Sequence, residues 1–488
     1  MNVSSTNQSN PWLQIMYALI GIGVGVGAGF LVFTTPDTLK LFVIIIGAFA
    51  FIVSVARVEW GLLVLAFMVY TNISDIAIVF HGAPSVTKSF VFLLLFAILM
   101  RWIAYNEKPN GWQRALALLA GYGIVGFASI LYAASPERSQ DALELYIKNA
   151  MIVVVVVILL QRAVTLRRVI WALLIAGIFL GTLTVIQYAT GTYGNNYFGF
   201  AQTSAAVLVG ASSTNRVSGP INDPNYYALI MTVLVPLALD RVWHEKNRWM
   251  RILSVWAFGA TVAAVILTYS RSGFVTLVAV IGLMLLYRTP NLKNLLILLM
   301  LGVMLFQFIP TQYTERLESM LSFLPGSGSS LREDEAVRGR TSELLVGWNM
   351  FLDNPVLGVG YDNYPIHYQA YSRQVGLDPR ATERSAHNLY IEILAETGIV
   401  GLIFFLAIVI ITLRDIYWSA KNLQAQGLRD TADMATAVGV SLLGYLLASV
   451  FIHDAYQRYF WLIVGIAMAI PKMAKNEIAV QKVATQKS

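Results

Sequence analysis

Three arginines, one histidine and four smaller polar groups are the residues through which this chain could do chemistry. Arg216 sits in Asn215-Arg216-Val217-Ser218-Gly219-Pro220, just before Asp223-Pro224-Asn225. Arg271 sits in Tyr269-Ser270-Arg271-Ser272-Gly273, and Arg340 in Arg338-Gly339-Arg340-Thr341. His387 is followed by Asn388, with Glu392 and Glu396 behind it. Arginine presents a planar fork that pairs bidentately with phosphate oxygens. A diphosphate leaving group needs its growing negative charge stabilised, and arginine can do this without a metal. Histidine can accept a proton from a hydroxyl nucleophile near neutral pH. Plainer readings stand beside these. Arg271 could anchor a turn or hold lipid headgroups, Arg216 and Arg340 could be structural, and His387 could simply end a helix. Asp223 could cap the helix after it or orient Arg216. Glu392 and Glu396 lie four apart and share a helical face with Asn388; a supporting role fits them better than direct catalysis. Glu333-Asp334-Glu335 could ligate a divalent cation, but an acidic run in a flexible loop reads as solvated. No metal site and no cofactor are expected.

The elements that must position these groups are membrane helices. Of 488 residues, 57% are hydrophobic and 12% charged, where a soluble domain carries about 25% charge. Mean hydropathy is +0.64. These values exclude a disordered chain and speak against a soluble enzyme. A helical span needs about 20 apolar residues, and fourteen such runs can be marked. They are Trp12–Phe33, Leu39–Ala56, Val58–Phe80, Thr87–Tyr105, Gln113–Ala133, Leu145–Gln161 and Leu166–Ala189. Asp223–Trp243, Trp249–Tyr269, Gly273–Tyr287, Leu292–Ile309, His387–Leu413, Met434–His453 and Tyr459–Ile470 complete them. The fold class expected is an all-α polytopic membrane protein of about fourteen spans, with twelve as the alternative. The first run lacks a basic region and a cleavage pattern before it, so it reads as a retained span. Cysteine is absent, so no disulfide framework or thiolate metal site can form. The net charge of +7 fits cytoplasmic anchoring residues better than nucleic-acid binding.

Lys and Arg set the orientation. With the N-terminus in the cytoplasm, the inner connections hold 20 of the 34 basic residues. Of the remaining 14, seven lie in one long loop, which the rule does not count. The short-loop comparison, 20 against 7, places both termini in the cytoplasm and His81, His367, His387 and His453 outside. The expected division is a membrane domain over 1–309, a periplasmic loop domain over 310–386, three further spans over 387–470 and a cytoplasmic tail over 471–488. The loop Pro310–Ala386 has 77 residues, ten acids, seven Arg and no Lys. Loops this long are usually functional or disordered. Leu344, Leu345, Trp348, Phe351 and Leu352 recur at helical spacing, which predicts an amphipathic helix over Thr341–Asp353. Asn354-Pro355 should end it, and Gly358 and Gly360 predict a tight turn.

Several of these motifs resemble one family. Gly339-Arg340-Thr341, Trp348 and Asp353-Asn354-Pro355-Val356-Leu357-Gly358-Val359-Gly360 are similar to sequences of the O-antigen ligase and polymerase superfamily. So are Ala386-His387-Asn388-Leu389-Tyr390 and Glu396-Thr397-Gly398-Ile399-Val400-Gly401, and, before them, Arg216-Val217-Ser218-Gly219-Pro220 with Asp223-Pro224-Asn225 and Ser270-Arg271-Ser272-Gly273. The resemblance covers roughly residues 210–402 and implies a GT-C-like glycosyltransferase in the bacterial inner membrane, with its active site facing the periplasm. It implies a donor glycan on undecaprenyl diphosphate and a saccharide or lipid A-core acceptor hydroxyl. By the same likeness Arg216 and Arg340 would hold the diphosphate and His387 would be the general base, with Arg271 a further candidate for the diphosphate. Fourteen spans depart from the family's usual twelve or so, which leaves the subfamily open. A ligase or repeat-unit polymerase is preferred, with protein O-oligosaccharyltransferase third.

The rival from another class is a polysaccharide-lipid flippase or other secondary transporter. Transporters usually show related halves and a midplane site, whereas no repeat is visible here and the polar groups collect on one side. A metal-dependent oligosaccharyltransferase would need acids in an early outer loop, where this chain offers only Asp37.

Overall fold

Apolar runs of this length satisfy their backbone internally in lipid, which makes them helices. The computed structural model describes residues 54, 57–83, 85–206, 214–287, 296, 300, 335–378, 383–452 and 457–487. Through them run α1 (Val58–Tyr70), α2 (Ile73–His81), α3 (Val86–Tyr105), α4 (Trp112–Ser129), α5 (Pro136–Leu159) and α6 (Ala163–Thr190). A two-stranded antiparallel hairpin follows, β1 (Gln202–Ala206) with β2 (Thr214–Gly219), in which Ser204 pairs with Arg216. Then come α7 (Pro224–His244), α8 (Arg248–Leu267), α9 (Arg271–Tyr287), α10 (Glu335–Asp353), α11 (Tyr364–Val375), α12 (Leu389–Ala425), α13 (Arg429–Ala448) and α14 (Arg458–Lys487).

The chain is an all-α polytopic membrane protein. Among the described residues seven helices are long and apolar enough to cross a membrane, or eight if α1 and α2, bent by 55°, form one broken span. Of the fourteen expected spans, Trp12–Phe33, Leu292–Ile309 and all but Ser54 of Leu39–Ala56 lie outside the described residues. The expected run Val58–Phe80 is divided at Asn72, which sits in left-handed backbone at φ +57 and donates through Nδ2 to Pro220 O at 3.0 Å. Asn is one of the few residues that enters this region readily. The expected boundary after residue 470 is not a break in the helix, since α14 runs on through Pro471 to Lys487.

The core is organised around α7. Its spanning window is 94% buried, and it packs on α8, α13, α9 and α6. A helix apolar on all sides belongs in the middle of a bundle. The contacts sort the helix ends into two groups. At one end, Arg241 of α7 is fully buried and pairs with Asp240 (2.6 Å) and with Asp430 of α13 (3.1 Å), while Arg167 of α6 pairs with Glu245. At the other end lie the hairpin, the start of α7, the α8–α9 turn and the start of α12.

The described part of the long loop packs on that second end. α10 begins earlier than the sequence pattern suggests, at Glu335, and stops at Asp353 as Asn354-Pro355 requires. α11 is not foreseen; its buried Tyr364, Tyr368 and Ser372 recur every four residues. Val346, Met350, Val359, Tyr364, Tyr368, Ala386 and Ala395 make a second small core, separate from the main one. The turn at Gly358 (φ +70) and Gly360 (φ +107) forms as expected. It docks backbone to backbone on a break in α12 at Gly398 (φ +62): Val359 and Gly360 N–H donate to Ala395 and Glu396 O, and Ile399 N–H donates to Pro355 O, all at 2.9 Å. A Cβ on Gly358 would stand 2.3 Å from the Glu396 carbonyl carbon. Gly358→Ala is therefore expected to destabilise the protein by about 1–3 kcal/mol. The thermal midpoint in detergent is the check, and an unchanged midpoint would refute the close packing.

Candidate active site

Arg216 on β2 is held where two helices meet. Its Nε donates to Thr268 O, just past α8, at 2.8 Å, and its Nη2 to Asn225 Oδ1, in the first turn of α7, at 3.1 Å. Asp223 caps α7, its Oδ1 accepting the N–H groups of Asn225 (2.7 Å) and Tyr226 (3.2 Å). Asn225, which the sequence reading did not single out, is the side chain that touches Arg216.

Three residues beyond Thr268, Arg271 opens α9. Tyr269 is left-handed (φ +54), and Ser270 Oγ accepts the Gly273 N–H at 3.2 Å. Gly273 lies so close to α7 that a Cβ there would stand 2.6 Å from Ala228 Cβ. The Ser-Arg-Ser-Gly turn thus presses α9 onto α7 and leaves Arg271 half-buried at the helix's positive end. A helix N-terminus beside guanidinium groups favours an anion.

Asn388 fixes the second half of the site. Its Oδ1 accepts the Tyr390 and Ile391 N–H groups at 3.0 Å, capping α12, and its Nδ2 donates to Val450 O at 2.8 Å, tying that start to the end of α13. His387, one residue earlier, is held in left-handed backbone (φ +45), a conformation costly for a residue with a Cβ. Its Nδ1 lies 3.1 Å from Ser385 O and 3.1 Å from Glu343 Oε2. Both neighbours are acceptors, so the neutral ring carries its proton on Nδ1 and Nε2 keeps its lone pair. Glu343, on α10, is 1% exposed, and its Oε1 accepts from Arg384 Nη1 at 2.5 Å. Burial pushes this carboxyl up, but His387 and Arg384 together outweigh it and hold it below the usual carboxylate range.

Arg340 stands three residues before Glu343 on α10 and is half-buried; that spacing makes the two neighbours on the helix surface. Arg216 and Arg271 thus belong to one cluster, and Arg340 and His387 to a second. α13 packs against both α7 and α12 between them, and Tyr226 OH lies 3.5 Å from Tyr445 OH.

Beside His387 is a cavity of about 330 Å³. Asp141, Asp362, Glu392 and Glu396 line it, with Tyr364 and Ser385. Glu396 Oε1 also accepts the Tyr364 N–H at 3.3 Å. Burial raises the Asp362 carboxyl, against the opposing charge of Arg138. Of the other histidines expected outside, His81 Nε2 lies 3.4 Å from Phe198 O and His367 is half-buried on α11; His453, Glu333 and Asp334 fall outside the described residues.

A bundle of membrane helices that gathers Arg216, Arg271, Arg340 and His387 at one end defines the class: a polytopic membrane protein with basic and histidine side chains at a helix–loop junction. Residues 256–406 match the family model described as O-antigen ligase, which supports the likeness to the O-antigen ligase and polymerase superfamily. The match includes Arg271, Arg340, Glu343 and His387, and begins after Arg216 and Asp223. No curated protein matches the chain.

Proposed function

We propose that the protein moves a glycan from undecaprenyl diphosphate to an acceptor hydroxyl at the periplasmic face of the bacterial inner membrane. Arg216, Arg271 and Arg340 hold the diphosphate; His387 takes the acceptor proton through Nε2 as the anomeric carbon is attacked. Displacement in one step inverts that carbon, and the arginines stabilise the departing diphosphate without a metal. The observation that carries the reading is the His387 ring, its Nδ1 between two acceptors at the end of the bundle where the arginines collect. The acidic cavity beside it repels a diphosphate, and its oxygen-rich lining suits the hydroxyls of a saccharide. A lipid A-core ligase or a repeat-unit polymerase fits this acceptor side.

The test is transfer in vitro from undecaprenyl-diphosphate-linked glycan to candidate saccharide acceptors, with chelator present. Product with an inverted linkage is expected. Abolition by chelator and recovery with a divalent cation would overturn the metal-free mechanism, and lipid translocation without any transfer would favour the flippase. Orientation is tested separately. In intact spheroplasts Gln374→Cys should label with an impermeant thiol reagent and Lys475→Cys should not; the reverse pattern inverts the topology.

A further inference from the structure

The loop helix α10 brings one carboxylate to the ring of His387. We infer that Glu343 is the positioning residue that holds His387 with its proton on Nδ1 and its Nε2 open to the acceptor hydroxyl. This rests on the reading of His387 as the base. Glu343 Oε2 is buried and makes no hydrogen bond to any other described residue; the His387 Nδ1 at 3.1 Å is the polar group it faces. A buried carboxylate oxygen left without a partner is costly, so the ring and the carboxylate constrain each other. Arg384 completes the arrangement: its Nη1 on Oε1 at 2.5 Å determines which carboxylate oxygen faces the ring. Tyr364 OH donates to the Glu343 carbonyl at 2.6 Å and fixes the backbone of α10 at that point.

As the acceptor hydroxyl attacks, Nε2 gains a proton and the ring becomes a cation. Glu343 then neutralises that charge across Nδ1, while the proton on Nδ1 stays where it was. No bond to Glu343 forms or breaks, so it acts through His387 alone.

Glu343→Gln tests this by its geometry. Arg384 can only donate, so it draws the amide oxygen toward itself and turns the amide N–H₂ toward His387 Nδ1. The ring proton is then driven to Nε2, and the base is lost. The turnover number should fall on the order of 10²-fold, with donor KM and donor binding within about twofold of the wild-type value. Glu343→Asp, which keeps the charge with a shorter reach, should recover part of that loss. The decisive measurement is a double-mutant cycle. In a His387→Ala background the same Glu343→Gln change should cost less than about twofold, because residues that act as one unit are not additive. The inference is overturned if Glu343→Gln turns over normally. It is overturned equally if the variant loses donor binding or its fold, or if its loss multiplies with that of His387→Ala. A His387→Ala enzyme with the wild-type rate is a different outcome: it removes the base itself and with it the proposed mechanism.

Discussion

His387→Ala is expected to lower the transfer rate by about 10²–10⁴-fold, the usual contribution of a positioned general base, with lipid-donor binding retained. The expectation follows from how the ring is held. Asn388 caps α12 and ties it to Val450 O, so the residue before the helix cannot drift. Left-handed backbone at φ +45 sets the direction in which the side chain leaves. Ser385 O and Glu343 Oε2 then settle which nitrogen is protonated. The proposed grip is carried by Arg216, Arg271 and Arg340 on β2, α9 and α10, so deleting the imidazole is expected to leave it in place. His367→Ala is the control: that ring lies on α11, half-buried, and should transfer at close to the wild-type rate. Single-turnover transfer and donor binding, measured on both variants, separate the cases. Normal transfer by His387→Ala, or a loss explained by failed donor binding, would remove the general-base role.

Much of the helical fold was legible in the sequence, and what was missed has physical reasons. Among the described residues the apolar runs are helices because lipid leaves a backbone no alternative. The glycines of Asp353–Gly360 and Glu396–Gly401 mark two separate motifs in the sequence, while in the structure they are halves of one junction, with Gly358 against the backbone of Glu396 and Gly398 against that of Val356. Glu343 was not legible. It shares the buried face of α10 with Val346 and Met350, yet a single acid in a loop with ten of them reads as solvated. Its partners, Arg384 and His387, lie more than forty residues on, where helical periodicity gives no information. α11 was missed because its ridge is built from Tyr364 and Tyr368 rather than aliphatic residues. The break at Asn72 was hidden by the apolar residues around it; its stabilising partner, Pro220 O, is 148 residues away.

Removing both Arg216 and Arg340 should lower kcat/KM for the lipid donor by about 10²–10⁴-fold, and each alanine variant alone by about 10–10², as expected for hydrogen bonds to a charged group. The two sit on separate elements, β2 and α10, so their losses should add in free energy. The structure distinguishes the lysine variants from one another. Arg216 is anchored through Nε to Thr268 O and through Nη2 to Asn225 Oδ1, and a single ammonium cannot hold both anchors and still face a phosphate. Arg216→Lys should therefore be nearly as slow as Arg216→Ala. Arg340 sits on the surface of a helix, one turn from Glu343, where lysine keeps a point charge but loses the fork; Arg340→Lys should fall between alanine and wild type. Rates measured over a range of donor concentrations, at matched expression, decide the matter. Wild-type kcat/KM in both alanine variants would dismiss the clamp. Equal recovery by lysine at both positions would show that charge alone, without the arginine fork, holds the diphosphate.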